Sequence, residues 1–136
     1  MSWVMRDQEF ENVIALAAPQ RYEYFVKKVA DWQVVWSLAA EEGWVLAATD
    51  TAQEAIPVWP HERFASACRS GAWTATLPRS IALSDWMRKW LPGIKNDNRL
   101  VAVFPIPSDK GIVVASDRLM TDLKAEMSLY DYDDEA

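Results

Sequence analysis

Apolar residues recur every three or four positions in three long segments, and this spacing predicts one buried face on each of three helices. The first helix covers residues 7–18 and can be capped by Asp7; the second begins at Pro19, which suits a first helical turn. The third follows Ser116 or Asp117, either of which can cap it. The positions expected to face inward are Phe10, Val13, Ile14, Ala17, Tyr22, Phe25, Val26, Val29, Leu119, Met120, Leu123 and Met127.

Two shorter helices are predicted in the middle of the chain by start and stop signals. Pro60 opens the first of them, which ends at Gly71. Ser84 can cap the second, and Pro92 is expected to end it near Leu91, because the residue before a proline avoids the α region. The apolar face of this second helix consists of Leu83, Trp86, Met87 and Trp90.

The other apolar segments are short, and several alternate with a period of two, as β-strands do. Residues 34–48 and 100–116 each predict a β-hairpin around a polar turn. Residues 54–60 predict a further short strand, which we expect at a sheet edge or in irregular structure because Pro57 cannot donate a ladder hydrogen bond. A fourth strand region is predicted at residues 72–77.

The strands are short and hairpin-linked, and no strand–helix–strand rhythm runs through the chain. This arrangement predicts a single α+β domain with a mainly antiparallel sheet, built from two hairpins plus short extra strands, and with helices packed on it. The length of 136 residues is typical of one domain. We expect the domain to span residues 1–129 and the acidic residues 130–136 to form a mobile tail.

Three features of the sequence bear on where the protein works. No run reaches the roughly 18 apolar residues that a membrane helix requires. Four charged residues lie within positions 6–11, where a signal peptide needs an apolar run. The single cysteine cannot form an intramolecular disulfide, which fits a reducing compartment. We therefore expect a soluble, cytoplasmic protein that does not bind a membrane.

The net charge of −6 argues against general nucleic-acid binding, which requires basic residues to neutralise phosphates. The charge is uneven: residues 61–99 contain seven basic and three acidic residues, whereas the rest contains seven basic and seventeen acidic residues. Two interpretations are open: the folded molecule has a basic and an acidic region, or these charged residues lie on ordinary solvated helix faces.

The only histidine, His61, and the only cysteine, Cys68, lie in the predicted helix that follows Pro60. Seven residues of helix separate two side chains by about 10 Å, so these two cannot form a nucleophile–base pair. Cys68 has apolar neighbours and is expected to be a small buried hydrophobe. His61 is expected to pack or cap, with an acid–base role as the alternative.

The remaining residues contain no catalytic set. Zinc sites need more histidine and cysteine ligands than the two present, the four glycines are isolated, and no nucleophile elbow occurs. The acidic tail lacks the loop glycine and distal glutamate of a calcium site. We therefore predict no catalytic residue, no metal ligand and no cofactor. A non-enzymatic role is favoured, although the sequence leaves enzymatic activity open.

A binding surface is the other candidate for function. Arginine and tryptophan together form cation–π contacts and interface hot spots, whereas packing in the core is the alternative for these tryptophans. Trp59, His61 and Arg63 are the candidate binding residues; Arg69 lies six positions after Arg63 and therefore does not share its helix face. The tryptophans in or just before the basic stretch of residues 61–99 are Trp59, Trp73, Trp86 and Trp90.

Five segments, in order, resemble a family of small bacterial proteins known as domain of unknown function 2750. They are residues 21–38 (RYEYFVKKVADWQVVWSL), 41–47 (EEGWVLA), 56–68 (IPVWPHERFASAC), 90–107 (WLPGIKNDNRLVAVFPIP) and 111–116 (GIVVAS), within a similar region of about residues 21–124. The resemblance implies a bacterial, cytoplasmic α+β domain with no established activity. It supplies no functional residues.

These observations favour a binding or regulatory module whose partner is another protein. An immunity or antitoxin-like protein is one form of this hypothesis, since an acidic surface speeds association with a basic toxin. The alternative is a small-molecule or anion binder, or a weak enzyme, with a pocket around His61 and Arg63. The sequence leaves the oligomeric state open.

Overall fold

Two small sheets and a set of helices make up the computed structural model, which describes residues 4–129. The helices are α1 (Asp7–Ile14), α2 (Ala18–Trp32), α3 (Glu62–Ala67), α4 (Leu83–Asp85), α5 (Leu91–Asn96) and α6 (Ser116–Met127). The strands are β1 (Val34–Ala40), β2 (Gly43–Trp44), β3 (Ala47–Ala48), β4 (Glu54–Val58), β5 (Leu77–Ala82), β6 (Leu100–Val103) and β7 (Ile112–Val114). The predicted tail at 130–136 lies outside the described residues.

The first sheet has the strand order β2-β1-β5, and the second has the order β3-β4-β6-β7. All pairings are antiparallel except that between β4 and β6. Trp36 and Trp59 exchange two backbone hydrogen bonds, of 2.9 and 2.8 Å, and thereby connect the two sheets. The prediction of an α+β domain with mostly antiparallel strands is confirmed.

The two predicted hairpins have different outcomes. The hairpin of β6 and β7 is confirmed, with Ala102 opposite Val113. The hairpin of β1 and β2 is confirmed only as far as Trp44. Beyond it the chain enters the second sheet as β3, where Ala47 lies opposite Ala55. One apolar run therefore serves two sheets, which its local pattern does not reveal.

The expectation that Pro57 lies at a sheet edge or in irregular structure is wrong, because β4 lies between β3 and β6. The N–H of Phe104, the residue that follows β6, donates a hydrogen bond to the carbonyl of Val58 at 2.8 Å. The backbone N–H and C=O groups of successive strand residues point to opposite sides. Because those of Val58 point toward β6, the backbone nitrogen of Pro57 points away from it. The carbonyl of Pro57 accepts a hydrogen bond from Ser37 Oγ at 2.6 Å. β3 pairs only with Glu54 and Ala55, so the N–H that Pro57 lacks would have had no strand partner there.

The prediction of a strand at residues 72–77 is also wrong. Residues Gly71–Trp73 form a 3₁₀ turn, and the strand begins only at the end of the predicted segment, as β5. β5 pairs with β1 alone, so it is an edge strand, a position at which Pro78 is tolerated. The threonines of this segment form turn hydrogen bonds instead, such as that from Thr76 Oγ1 to the carbonyl of Trp73 at 2.6 Å.

The predicted helices form, but none of the predicted serine or aspartate caps does. The positions preceding α1, α4 and α6 are held by Arg6, Ala82 and Ala115, without side-chain capping bonds. Of the predicted caps, Asp7 and Ser116 lie one position too late, and Ser84 and Asp117 lie two positions too late. α1 also ends at Ile14, four residues before its predicted end.

Pro92 does not end its helix, contrary to the prediction. A π-helical segment, Trp86–Trp90, connects α4 to α5, and the N–H of Leu91 donates to the carbonyl of Trp86 five residues back. Pro92 then lies in the first turn of α5. The wider π turn removes the clash that a proline ring makes with the carbonyl of the residue four positions earlier in a regular helix.

The predicted inward faces of the long helices do form the core, with Phe25, Val29, Leu119 and Leu123 fully buried. Ala17 is an exception, since it is exposed before the start of α2. The helices α2 and α6 pack against each other in this core. Within residues 4–129 we find no helix with the length and apolar composition needed to cross a bilayer.

Candidate functional site

Trp59, the first predicted binding residue, follows β4 and is completely buried. Its indole N–H donates to the carbonyl of Pro105 at 2.7 Å. Its ring meets that of Trp73 edge-on, with the centroids 6.2 Å apart. Trp59 therefore belongs to the core that supports the surface and does not itself lie on the surface.

His61, the second predicted residue, precedes α3 and caps it. Its Nδ1 accepts a hydrogen bond from the backbone N–H of Arg63 at 3.1 Å. A ring nitrogen that accepts this bond satisfies one of the backbone donors that every helix start leaves free. The capping role expected for His61 is confirmed. The predicted helix, from Pro60 to Gly71, is wrong at both ends, since α3 begins at Glu62 and ends at Ala67.

Arg63, the third predicted residue, connects α3 to α1. Its Nη2 lies 2.7 Å from Asp7 Oδ1, and its guanidinium carbon lies 4.5 Å from the ring centroid of Phe10. Because Trp59 is buried while Arg63 is paired with Asp7, the structure does not bring the three predicted residues together on one surface. Their role in binding stays a prediction.

Cys68 follows α3 and is buried, as expected for a structural thiol. Its Sγ lies 3.4 Å from the carbonyl of Pro105, to which the thiol donates. Burial raises the pKa of this thiol to about 11. The thiolate is the reactive form of cysteine, so the side chain is poorly suited to nucleophilic chemistry.

The surface that does combine tryptophan with basic residues lies elsewhere, and we call it the Trp44–Trp90 groove. The rings of Trp44 and Trp90 meet edge-on, with centroids 4.7 Å apart and planes at 88°. Trp86 stacks behind Trp90 at 5.8 Å and is fully buried, so it supports the half-buried pair from the core side. The groove encloses about 480 Å³, and its walls include Leu46, Ile56 and Ile94.

Basic side chains border this groove. Lys89 and Arg99 line it, and the guanidinium of Arg79 lies 5.7 Å from the ring centroid of Trp44. Arg99 is close to two carboxylates, those of Asp97 at 3.5 Å and Glu54 at 3.9 Å. Arg79 and Lys89, in contrast, form no ion pair with any residue in the described part of the chain. Two exposed cations are thus available beside the tryptophan pair.

None of the three predicted binding residues lies at this groove, although the basic stretch that contains part of it was noted in the sequence. Trp90, Arg79 and Lys89 all lie in the basic stretch that the tryptophan and charge counts indicated. Trp44 was missed because it lies in the β1–β2 hairpin, 46 positions before Trp90, and only tertiary packing brings the two rings together. The pairing of a hairpin tryptophan with a helical one has no local sequence signal.

Among residues 4–129, no group of three histidine, cysteine, aspartate or glutamate side chains is placed to hold a metal ion. The chain matches the family described as "Protein of unknown function (DUF2750)" over residues 22–123. This match covers most of the chain, which therefore belongs to that family, as the resemblance indicated. No curated protein and no solved structure is significantly similar to the chain.

Proposed function

We propose that this chain is a non-enzymatic binding module of the bacterial cytoplasm, and that its partner is another protein. In this proposal, the Trp44–Trp90 groove accepts an apolar side chain from an acidic segment of the partner. The observation that carries the proposal is the edge-on tryptophan pair, which opens to a cavity of about 480 Å³ beside two cations without anionic partners among the described residues.

The chemistry of the groove supports a protein partner. Tryptophan and arginine are the residue types most enriched in interface hot spots, which lie in well-packed pockets that exclude water. Arg79 and Lys89 provide positive charge on a chain whose net charge is −6. Such local complementarity selects an acidic segment and speeds its encounter with the surface.

A non-enzymatic role is supported by the positions of the single histidine and the single cysteine of the sequence. His61 spends one ring nitrogen on capping α3. Cys68 is buried and has a raised pKa. The single buried thiol also supports a reducing compartment such as the cytoplasm.

Selection from a library of random peptides, displayed on phage and each about twelve residues long, tests this proposal without knowledge of the partner. We expect the wild-type protein to select peptides that combine an aromatic or aliphatic residue with several acidic residues. Their affinity should fall at least about tenfold in Lys89→Glu and in Arg79→Glu, because charge reversal replaces attraction by repulsion. Lys27→Glu, at an exposed lysine of α2, is the matched control and should leave affinity unchanged.

Two results would contradict the proposal. Selection of no peptide, or of peptides whose binding is equal in Lys89→Glu and Lys27→Glu, would show that the groove is not the binding surface. Selection of peptides rich in lysine and arginine would instead support the hypothesis of an acidic surface that holds a basic toxin.

A further inference from the structure

The two faces of the second sheet differ, because one carries only large apolar side chains at its centre and the other carries mostly small ones. Strand residues alternate between faces, so Ile56, Val58, Val101 and Val103 share one face, and all four are in the hydrophobic core. The opposite face carries Ala47, Ala55, Pro57 and Ala102 together with Leu100 and Val113. Ala55 and Pro57 are covered, and the open space on this face lies over Ala47, Ala102 and Val113.

A cavity of about 810 Å³ lies over the small-residue face, and we call it the sheet-face cavity. Ala47, Ala102 and Val113 form its floor, and the ring of Trp73 and the loop of residues 105–110 form its walls. The volume is within the range of roughly 300–1,000 Å³ that small-molecule sites occupy. The sheet-face cavity shares only Leu46 with the lining of the Trp44–Trp90 groove.

The walls of the sheet-face cavity are held by interactions from behind. Trp73 rests edge-on against the buried Trp59, whose indole N–H is bonded to Pro105. The loop of residues 105–110 is closed by two backbone hydrogen bonds between Ile106 and Asp109, of 2.9 and 3.0 Å. A cavity whose walls are already fixed binds a ligand without a large ordering cost.

The polar side chains that line the sheet-face cavity include two hydroxyls and two charged groups. They are Ser70, Ser108, Lys110 and Asp109, and the carboxylate of Asp109 is already paired with the buried Arg21. Lys110 lies 3.3 Å from Asp50, but the two side chains are 71% and 92% exposed. Exposed ion pairs of this kind contribute little to stability. The ammonium group of Lys110 can therefore leave Asp50 and turn toward an anion in the cavity.

We propose that the sheet-face cavity binds a small, flat, apolar molecule that carries one anionic group, such as an aromatic carboxylate or sulfonate. The ring system lies between Trp73 and the floor of Ala47 and Ala102, in the space that the described residues leave open. The anionic group lies toward Lys110 and accepts hydrogen bonds from the serine hydroxyls. This site is independent of the protein-binding groove and does not rest on the function proposed for it.

Two fluorescent probes with the same rings test both parts of this inference. Anilinonaphthalene sulfonate carries the anionic group, and phenylnaphthylamine lacks it. We expect the sulfonate to bind at one site and more tightly than the uncharged probe. Lys110→Gln should weaken the sulfonate about threefold to fivefold, the scale of one exposed charge interaction, and leave the uncharged probe unchanged.

Variants that fill the sheet-face cavity test its position. Ala48→Phe, at an exposed alanine of its rim, should weaken both probes at least about tenfold, and Ala102→Leu should do the same from the floor. Lys89→Glu alters the Trp44–Trp90 groove and should leave both probes unchanged. Equal binding of the two probes, insensitivity to Ala48→Phe, or loss of binding in Lys89→Glu would each overturn the inference, as would the absence of binding.

Discussion

A single buried arginine joins parts of the chain that are far apart in sequence. Arg21 of α2 is 2% exposed, and its Nη1 donates to the carbonyl of Leu16 at 2.7 Å and its Nε to that of Phe104 at 3.2 Å. Its remaining nitrogen pairs with the carboxylate of Asp109. A buried charge is tolerated only when it is paired and hydrogen-bonded, so this cluster fixes the end of β6 and the loop beside the sheet-face cavity.

The Arg21 pair predicts a pH-dependent stability. The guanidinium holds the pKa of Asp109 below its usual value, so the stabilisation is complete above the unfolded-state pKa of about 3.9 and is lost as the pH falls through the lowered pKa. Asp109→Asn should reduce the free energy of unfolding by about 1–2 kcal/mol at pH 7, a figure reduced for screening because Asp109 is 42% exposed. The difference should shrink below about pH 4.

Urea unfolding of wild type and variant between pH 7 and pH 3 measures this effect. Asp50→Asn is the matched control, since Asp50 pairs with the exposed Lys110 at the far end of the same loop. It should change stability by less than about 0.5 kcal/mol. A difference for Asp109→Asn that is independent of pH would show that the carboxylate charge is not what stabilises the loop.

The thiol of Cys68 provides a second prediction for a single residue. With a pKa of about 11 and little exposure, it should react with iodoacetamide at pH 8 at least about a hundredfold more slowly in the native protein than in urea, because only the thiolate reacts. The native rate should also rise about tenfold for each pH unit between 7 and 9. Rapid labelling of the native protein would mean that the thiol is accessible and reopen a chemical role.

At the scale of elements, the connection from β6 through the loop of residues 105–110 to β7 contains two residues in the left-handed conformation. Phe104 adopts φ 59°, a left-handed conformation that is unusual for an aromatic residue. Gly111, where the chain returns to β7, has φ 80° and lies against the backbone of Val103. The two residues permit a tight return between β6 and β7 while Phe104 remains fully buried.

Two glycine substitutions should therefore have opposite effects. Gly111→Ala should destabilise the protein by about 3 kcal/mol or more, because its Cβ would lie 2.4 Å from the carbonyl oxygen of Val103 in an unfavourable backbone conformation. Gly93→Ala, in α5 with open space around it, should stabilise by about 0.5–1 kcal/mol. Thermal unfolding of both variants gives the comparison, and a mild effect at Gly111 would contradict the close approach.

At the scale of the whole molecule, folding partly cancels the uneven charge of the sequence. Three of the seven basic residues between positions 61 and 99 pair with acidic residues from outside that stretch: Arg63 with Asp7, Lys95 with Asp117, and Arg99 with Glu54. The basic stretch is therefore not one continuous patch of free charge. What remains beside the Trp44–Trp90 groove is the smaller positive surface of Arg79 and Lys89.

Removal of residues 130–136 tests how independent the domain is of its last segment. The segment contains four acidic residues and few apolar ones, a composition that buries little surface. We expect the midpoint of thermal unfolding to change by less than about 2 °C, as for most surface changes. A fall of several degrees would show that the segment packs against the domain and would extend its boundary beyond residue 129.

The sequence alone determined the class of fold, the long helices and their buried faces. Phe25, Val29, Leu119 and Leu123 are buried where their spacing predicted. The hairpin of β6 and β7 and the structural role of Cys68 were also predictable, because each depends on neighbours along the chain. Local periodicity is sufficient for such features, since one apolar face must be covered whatever element covers it.

Only the tertiary structure decided which distant residues meet. Pro57 lies inside a sheet because β3 pairs only with Glu54 and Ala55 and does not reach Pro57, so its missing N–H costs no ladder bond. Trp44 reaches Trp90, and Arg21 reaches Asp109 across 88 positions, because packing of whole elements brings them together. Each of these contacts joins two segments that are far apart in the sequence, and neither segment carries a local pattern that indicates the other. The groove and the sheet-face cavity are therefore products of the fold that no single segment encodes.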